Sequence, residues 1–279
     1  MELSVIITTY NSPAWLQKVL WGYQMQTFRD FEMIIADDGS TDDTKRLLDE
    51  MRNEVFYPVQ HIWQEDEGFR KCAILNKAIV SSKTDYLVIS DGDCIPRNDF
   101  LQVHIDKRKQ ECFLSGGYNK LPMQLSQKIT KEDIFNQSCF DINWLKANGL
   151  PSTFTNTKFT AKGGKASLLN FLTPTNASWN GHNSSAWKQD IININGFNEE
   201  MRYGALDREM GERLVNNDIK ALQIRYSAVC IHLDHARGYK NKKDLANNKE
   251  IWMKTKREKL KWAKCGIIKP GEPKSKTVN

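Results

Sequence analysis

At 279 residues with 40% hydrophobic side chains, the chain is long enough to bury a core of its own, which excludes a disulfide-stapled miniprotein. Its net charge of +6 is unevenly placed: residues 237–279 carry 14 Lys and Arg against 4 Asp and Glu, a net +10, which leaves −4 on residues 1–236. The positive charge belongs to the tail and no recognition motif accompanies it, so nucleic acid is not an expected partner.

Six cysteines (Cys72, Cys94, Cys112, Cys139, Cys230 and Cys265) show no paired spacing, which argues against a zinc cluster or a disulfide framework and fits a reducing cytoplasm. No segment approaches the about 20 apolar residues of a membrane span. The opening MELSVIITTYNS has neither the basic start nor the cleavage site of a secretory leader, so a cytoplasmic location is expected.

Residues 3–9 are a β-branched run without polar alternation, as expected of a strand buried on both faces of a parallel sheet. Ser12 and Pro13 then start a helix with Trp15, Leu16, Val19, Leu20 and Tyr23 at helical spacing; Trp15 and Trp21 read as core. A second strand at 31–36 ends in Asp37, Asp38 and Gly39, and Ser40 or Thr41 caps a helix carrying Leu47, Leu48 and Met51. A third strand at 59–63 leads through EDEGFRK into a helix near 73–80, and a fourth strand follows at 86–90. This βαβαβαβ order implies a doubly wound α/β sheet, whose ligands sit outside the carboxyl ends of the strands. Three strand ends, at 8–11, 37–39 and 91–93, therefore converge on one crevice.

Residues 118–179 are rich in Ser, Thr, Asn and Lys, with periodicity only around 134–145, and predict loops and short helices over the crevice. Order returns at 179–183, with a turn at 195–197, a helix near 207–215, and short strands at 221–225 and 228–231. His232, Asp234 and His235 lead into the basic tail, where 244–264 read as a helix with Leu245, Ile251, Trp252, Met253, Leu260 and Trp262 among lysines. Two readings of that helix stay open. It docks on an anionic membrane surface or lipid-linked acceptor, or it packs on the domain with a solvated basic face. The polar end after Gly266 is expected to be disordered.

The most informative stretch is YLVISDGDCIPRND, residues 86–99, where a strand runs into two carboxylates, Asp91 and Asp93, around Gly92. Carboxylates plus substrate phosphates suit Mg²⁺ or Mn²⁺, so a D-x-D turn at a buried strand end is placed for a metal bridging a diphosphate. A surface turn capped by aspartate is the competing reading of the same residues.

In order, SVIITTYN, QMQTFRDFE, IIADDGSTDDT and ISDGDCIPRNDF resemble the family 2 glycosyltransferases of the GT-A fold, and INGFNEEMRYGALDREMGERL resembles the acceptor-side module of galactosyltransferase-like and chondroitin-polymerase-like members. The resemblance implies a GT-A α/β domain over 1–236, with a nucleotide-binding half (1–117), an acceptor-binding half (118–236) and a basic helical extension (237–279). It implies a metal-dependent, inverting transfer from a nucleoside diphosphate sugar, UDP-linked, to a hydroxyl of a glycan or lipid-linked oligosaccharide in bacterial cell-surface polysaccharide or lipooligosaccharide synthesis. Such an enzyme would sit in the cytoplasm, peripheral on the membrane.

Residue by residue, Thr8 and Asp38 match positions that contact the base, where a carboxylate accepts the N3–H of uracil. Asp37 holds the loop. Tyr10, Asn11, Asp91 and Gly92 fall with the nucleotide sugar, Asp91 near the ribose, and Arg70 in GFRK with base or phosphate. Leu75 stands where many relatives have arginine. Asp93 matches the metal ligand for Mn²⁺ or Mg²⁺, with His232 as a further ligand and His235 as its fallback. Asn183 in WNGHNSS resembles the segment that cradles the donor. Asp207 matches the catalytic base, with Leu206 where relatives have an acid, and Glu209, Trp179 and His182 match the acceptor side. Helix-cap, salt-bridge and core roles remain the structural alternatives for Asp207, Glu209 and Trp179. Two other functions stay open: a glycan-binding or scaffold module of the same fold, and a sugar-1-phosphate nucleotidyltransferase, which would need a Gly-rich basic loop where this chain has TTYNSPAWLQK.

Overall fold

The computed structural model describes residues 1–236 and 241–273. In chain order the elements are β1 (Leu3–Thr9), α1 (Pro13–Gln24), β2 (Phe31–Asp37), α2 (Asp42–Met51), β3 (Val59–Trp63), α3 (Lys71–Ser81), β4 (Tyr86–Asp91), β5 (Cys94–Pro96), α4 (Phe100–Lys107), β6 (Cys112–Ser115) and β7 (Gly117–Lys120). Short helices follow, α5 (Met123–Lys128), α6 (Lys131–Phe135), α7 (Ile142–Ala147), α8 (Thr157–Thr160) and α9 (Gly163–Leu172), with 3₁₀ turns at Ser138–Phe140 and Phe154–Asn156. The chain continues through β8 (Ser184–Trp187), α10 (Lys188–Asn193), α11 (Leu206–Asn216), β9 (Lys220–Gln223), β10 (Val229–His232) and α12 (Lys242–Arg257).

Seven strands form one sheet in the order β3-β2-β1-β4-β8-β6-β9. The four strands expected from the sequence are its parallel half, β1 pairing with β2 and β4, and β2 with β3. β8 runs antiparallel to both β4 and β6, which makes the sheet mixed. Every residue of β1 and β2 is buried, which explains their unbroken apolar runs. Val5, Ile7, Met33 and Ile35 pack with Leu16, Val19 and Leu20 of α1 on one face, and Ile6, Ile34, Leu87 and Ile89 pack with Ile74, Leu75 and Ile79 of α3 on the other. Each such side chain contributes roughly 1.5–3 kcal/mol by leaving water. Trp15 and Trp21 lie half-buried against this core.

A second, three-stranded sheet, β5-β10-β7, stands beside the first. Its short strands carry little sequence pattern, yet it pairs Cys94 with His232 and so brings the end of the D-x-D turn to the histidines of residues 232–235.

The basic tail helix packs on the domain. Asn248, fully buried, donates from its side chain to the carbonyls of Arg202 (2.8 Å) and Gly204 (2.8 Å). Thr255 donates to Glu209 at 3.0 Å, and Ile251 packs against the core beside α11. The disorder expected after Gly266 is not found at residues 266–269. Ile267 and Ile268 donate to the backbone and side chain of Asn195, and Lys269 pairs with Glu199 at 2.5 Å. Residues 274–279, covered by the same expectation, lie outside the described residues.

Candidate active site

The carboxyl ends of β1, β2 and β4 open into a cleft of about 1490 Å³, whose other wall comes from 175–182 and 203–208. The β1–β4 register sets Thr8 beside Asp91, and the Thr8 hydroxyl donates to Asp91 Oδ1 at 2.8 Å. Gly92 must be glycine, because a Cβ there would lie 2.8 Å from the Thr8 carbonyl oxygen. Lys71, the first residue of α3, donates to the same Asp91 oxygen at 2.6 Å.

At the β2 end the two aspartates have different partners. Asp37 takes the Ser40 N–H (2.8 Å) and meets His61 at 2.9 Å, so it holds the loop. Asp38 accepts from the Gln64 amide (2.6 Å) and the Arg70 backbone N–H (2.8 Å) and lines the cleft. Burial pushes its carboxyl above the usual range, against the pull of those bonds. Asn11 accepts from the Thr41 N–H at 2.9 Å and donates its own N–H to Ser40, clipping the first two strand-end loops together. Tyr10 donates to Asp66 at 2.8 Å and keeps half of its surface open beside them. The Arg70 guanidinium pairs with Glu67 and stands outside the cleft lining.

Beyond Gly92, Asp93 faces two imidazoles: His235 Nε2 lies 2.9 Å and His232 Nε2 3.6 Å from Asp93 Oδ2. Burial works against the Asp93 charge, but the His235 hydrogen bond and both imidazoles outweigh it and hold the carboxyl below the usual range. His235 Nδ1 lies 2.8 Å from the Ala236 carbonyl, a contact that fixes the orientation of the ring against Asp93. One carboxylate and two imidazoles converging this way fit a divalent cation such as Mn²⁺. Ligand atoms of Asp93, Cys94 and His232 lie within 4.8 Å of one another, with the Cys94 thiol donating to Asp93 at 3.3 Å.

Asp207 sits in the first turn of α11, entered through Ala205 in the left-handed region (φ 59°). Burial pushes its carboxyl up to about 6, opposed by Lys71 and the Gly181 backbone. Gly181 is again a close approach, since a Cβ there would lie 3.0 Å from Asp207 Oδ1 and 3.2 Å from Lys71 Nζ. Lys71 thus joins the strand-end carboxylates to Asp207. Burial disfavours its charge, but Asp91 and Asp207 outweigh this and hold the ammonium above its ordinary value. The sequence reading missed Lys71; its signal was a cation opening the helix after the EDEGFR loop.

His182 lines the cleft with its ring edge on Tyr118 at 4.5 Å between centroids, and burial pulls its imidazole down to about 4, so it is neutral near pH 7. Three expected site residues are placed elsewhere. Asn183, fully buried, donates to the Gly117 (2.9 Å) and Ala228 (3.0 Å) carbonyls and meets His104 at 3.0 Å, tying the two sheets together beneath the cleft. Glu209 makes a two-bonded pair with Arg213 at 2.9 and 2.8 Å under α12. The Trp179 indole packs on Phe113 in the core with 1% exposure, too little for a sugar face to stack on it.

Residues 4–129 match the family described as Glycosyl transferase family 2. Chondroitin synthase from Escherichia coli is 30% identical over 105 residues, which are 37% of this chain and 15% of that protein, so the chain spans less than a sixth of that relative's length. The fold is similar to the mannosyltransferase PcManGT from Pyrobaculum calidifontis, solved with GDP-Man and Mn²⁺, with a TM-score of 0.56 and 17% identity over 85% of this chain and 58% of that one. It is also similar to S. aureus TarS 1-349 solved with UDP-GlcNAc, with a TM-score of 0.56 and 18% identity over 86% of this chain and 60% of that one. At these identities the likeness to both structures is one of fold, the mostly parallel GT-A sheet. Through residues 4–129, a little under half of its length, the chain is similar to glycosyltransferase family 2.

Proposed function

We propose that the chain transfers a sugar from a UDP-sugar to a hydroxyl of a glycan acceptor, with inversion at the anomeric carbon, in the synthesis of a bacterial cell-surface polysaccharide or lipooligosaccharide. The observation that carries this reading is the meeting of Asp91, Lys71 and Asp207 in one cleft, with Asp93 and its histidines alongside. The cleft exceeds the about 300–1000 Å³ of a single small-ligand pocket, which leaves room for donor and acceptor together. The family match over residues 4–129, the UDP-GlcNAc bound by TarS and the GDP-Man and Mn²⁺ bound by PcManGT support the donor class and the need for a cation.

In this mechanism Asp38 accepts the N3–H of the uracil through a lone pair left by Gln64 and Arg70, and Asp91 accepts from the ribose. Asp93, His235 and His232 would hold the cation, which when bound supplies positive charge to the leaving diphosphate. Asp207 takes the proton of the acceptor hydroxyl as that oxygen attacks the anomeric carbon from the face opposite the diphosphate. A carboxylate raised to about 6 is still mostly ionised near neutral pH and is a stronger base than an ordinary aspartate. Lys71 keeps Asp91 and Asp207 charged side by side, and His182, neutral, offers a hydrogen bond to the sugar.

A panel of UDP-sugars with Mn²⁺ and oligosaccharide acceptors, read by product mass, tests the activity. A product of inverted anomeric configuration by NMR is expected. Absence of transfer from every nucleotide sugar, with UDP still bound, would leave the non-catalytic glycan-binding reading in its place.

A further inference from the structure

The segment between the two sheets leaves its largest apolar side chains in water. Phe171 is 85% exposed, Phe154 75%, Leu172 61% and Leu168 56%. In α9, Leu168, Phe171 and Leu172 follow the i, i+3, i+4 spacing of one helix face, and Lys165 lies one turn earlier on the same face. The opposite face is already used. Ala166 and Leu169 pack with Ala161 and Tyr226, and Asn170 bonds the Ser227 hydroxyl (2.9 Å) and accepts the Tyr226 N–H (2.9 Å). The helix is therefore anchored with its polar contacts inward and its apolar ridge outward, the reverse of an ordinary surface helix.

Charge singles out the same segment. Residues 142–189 contain no Asp or Glu, while Lys146, Lys158, Lys162 and Lys165 lie within 146–172, and Lys162 and Lys165 are exposed. The segment adjoins the cleft on both sides, Thr155 and Lys158 lining it before α9 and Thr175 and Asn176 after. A second copy of the chain would meet this face with the same lysines and no acids to pair them. An anionic bilayer supplies both an apolar layer for the aromatic ridge and the opposite charge for the lysines.

We propose that the outward face of α9, with Phe154, docks the chain on an anionic phospholipid surface, setting the acceptor side of the cleft against the bilayer. The clause about the acceptor rests on the glycosyltransferase reading above; the docking itself does not. The site differs from the one the sequence suggested. The tail helix spends Ile251, Asn248 and Thr255 on packing, while α9 leaves its ridge uncovered among the described residues.

The full chain is sedimented with vesicles of phosphatidylcholine alone and with equal parts phosphatidylglycerol, at low and high salt. Binding is expected with the anionic vesicles only, weakened by salt. The double variants Leu168→Ser with Phe171→Ser and Lys162→Glu with Lys165→Glu should each lower partitioning by on the order of tenfold. Their melting temperatures and Mn²⁺-dependent UDP binding should match the parent, because these side chains are exposed. The proposal is overturned if the parent stays in the supernatant, or if both variants bind as well as the parent. It is equally overturned if sedimentation equilibrium shows a dimer that the Leu168/Phe171 variant loses. Vesicle binding needs no turnover, so a protein that binds vesicles but transfers no sugar would refute the enzymatic reading and leave this one standing.

Discussion

The two walls of the cleft are built on opposite principles. On the strand-end wall, Thr8, Asp38 and Asp91 stand at the ends of buried parallel strands, and each is fixed by a hydrogen bond of 2.8 Å or less. The opposing wall comes from loops and the start of α11, and there Asp207 Oδ1 has no hydrogen-bond partner among the described residues. Carboxylates held by such bonds keep their places before a ligand arrives, and on this wall only the smaller Thr9 hydroxyl is left without a partner among the described residues. A buried oxygen left open is costly alone and is stabilised when a donor, here an acceptor hydroxyl, comes to it. On the proposed reading the donor side is thus preorganised, while the acceptor side keeps hydrogen-bonding capacity in reserve.

The largest expected effect lies on the open wall. Asp207→Asn keeps the shape but cannot take a proton, so kcat should fall by about 10²–10⁴ with UDP affinity unchanged. Near-parental turnover would assign the base to another acid and erase the contrast between the walls. Glu209, two residues on, tests whether the same helix also serves as scaffold. Its pair with Arg213 is almost fully buried, so Glu209→Gln leaves that guanidinium without a counter-charge and should cost about 3–5 kcal/mol in denaturant unfolding. Turnover per folded molecule should hold. A selective loss of acceptor affinity at unchanged stability would move Glu209 into the site instead.

A smaller effect is expected at the cation end. Asp93→Asn replaces a carboxylate with a poor ligand at a strand end whose fold does not depend on it. Mn²⁺-dependent UDP binding, followed by calorimetry, should weaken by about 10–100-fold, while metal-free UDP binding through Asp38 and Asp91 changes little. Equal loss with and without Mn²⁺ would make Asp93 a nucleotide contact and leave its histidines without a role.

The same contrast governs what the sequence could disclose. β1, β2 and β4 are legible because two-sided burial forces unbroken apolar runs, and strand ends in such sheets face the ligand, which located Thr8, Asp38, Asp91 and Asp93. β6 and β8 are four-residue strands whose partners lie far away in the chain, and β5 has three residues; no local period marks them. The second sheet, in which β5 pairs with β10, is what brings His232 and His235 to Asp93. Asn183 and Trp179 sit in the segment that lines the cleft but turn inward, a direction that residue type does not encode. Lys71 escaped notice because a lysine opening a helix reads as solvated; only the fold brings Asp91 and Asp207 to it.

The smallest predicted effect concerns that lysine and carries the pH dependence. If Asp207 is the proposed base it must be ionised to accept a proton, so kcat/KM should fall about tenfold per unit below about pH 6. The Lys71 charge pulls that value down, so Lys71→Met should move the acidic limb to higher pH while the parent limb stays near 6. A limb that stays put would confine Lys71 to Asp91. Stability gives an independent reading with the opposite sign. Because the folded Asp207 holds its proton more tightly than the unfolded chain, its ionisation costs stability as pH rises from the unfolded value of about 4 to about 6, and the cost persists above. The side chain is partly open to the cleft, which limits that cost to roughly 1–2 kcal/mol. Asp207→Asn should therefore be more stable than the parent at pH 7 and no more stable at pH 4, a difference that thermal unfolding at the two pH values measures directly. A variant equally stable at both would mean that the open wall holds its carboxylate at no cost, and the reserve attributed to it would not exist.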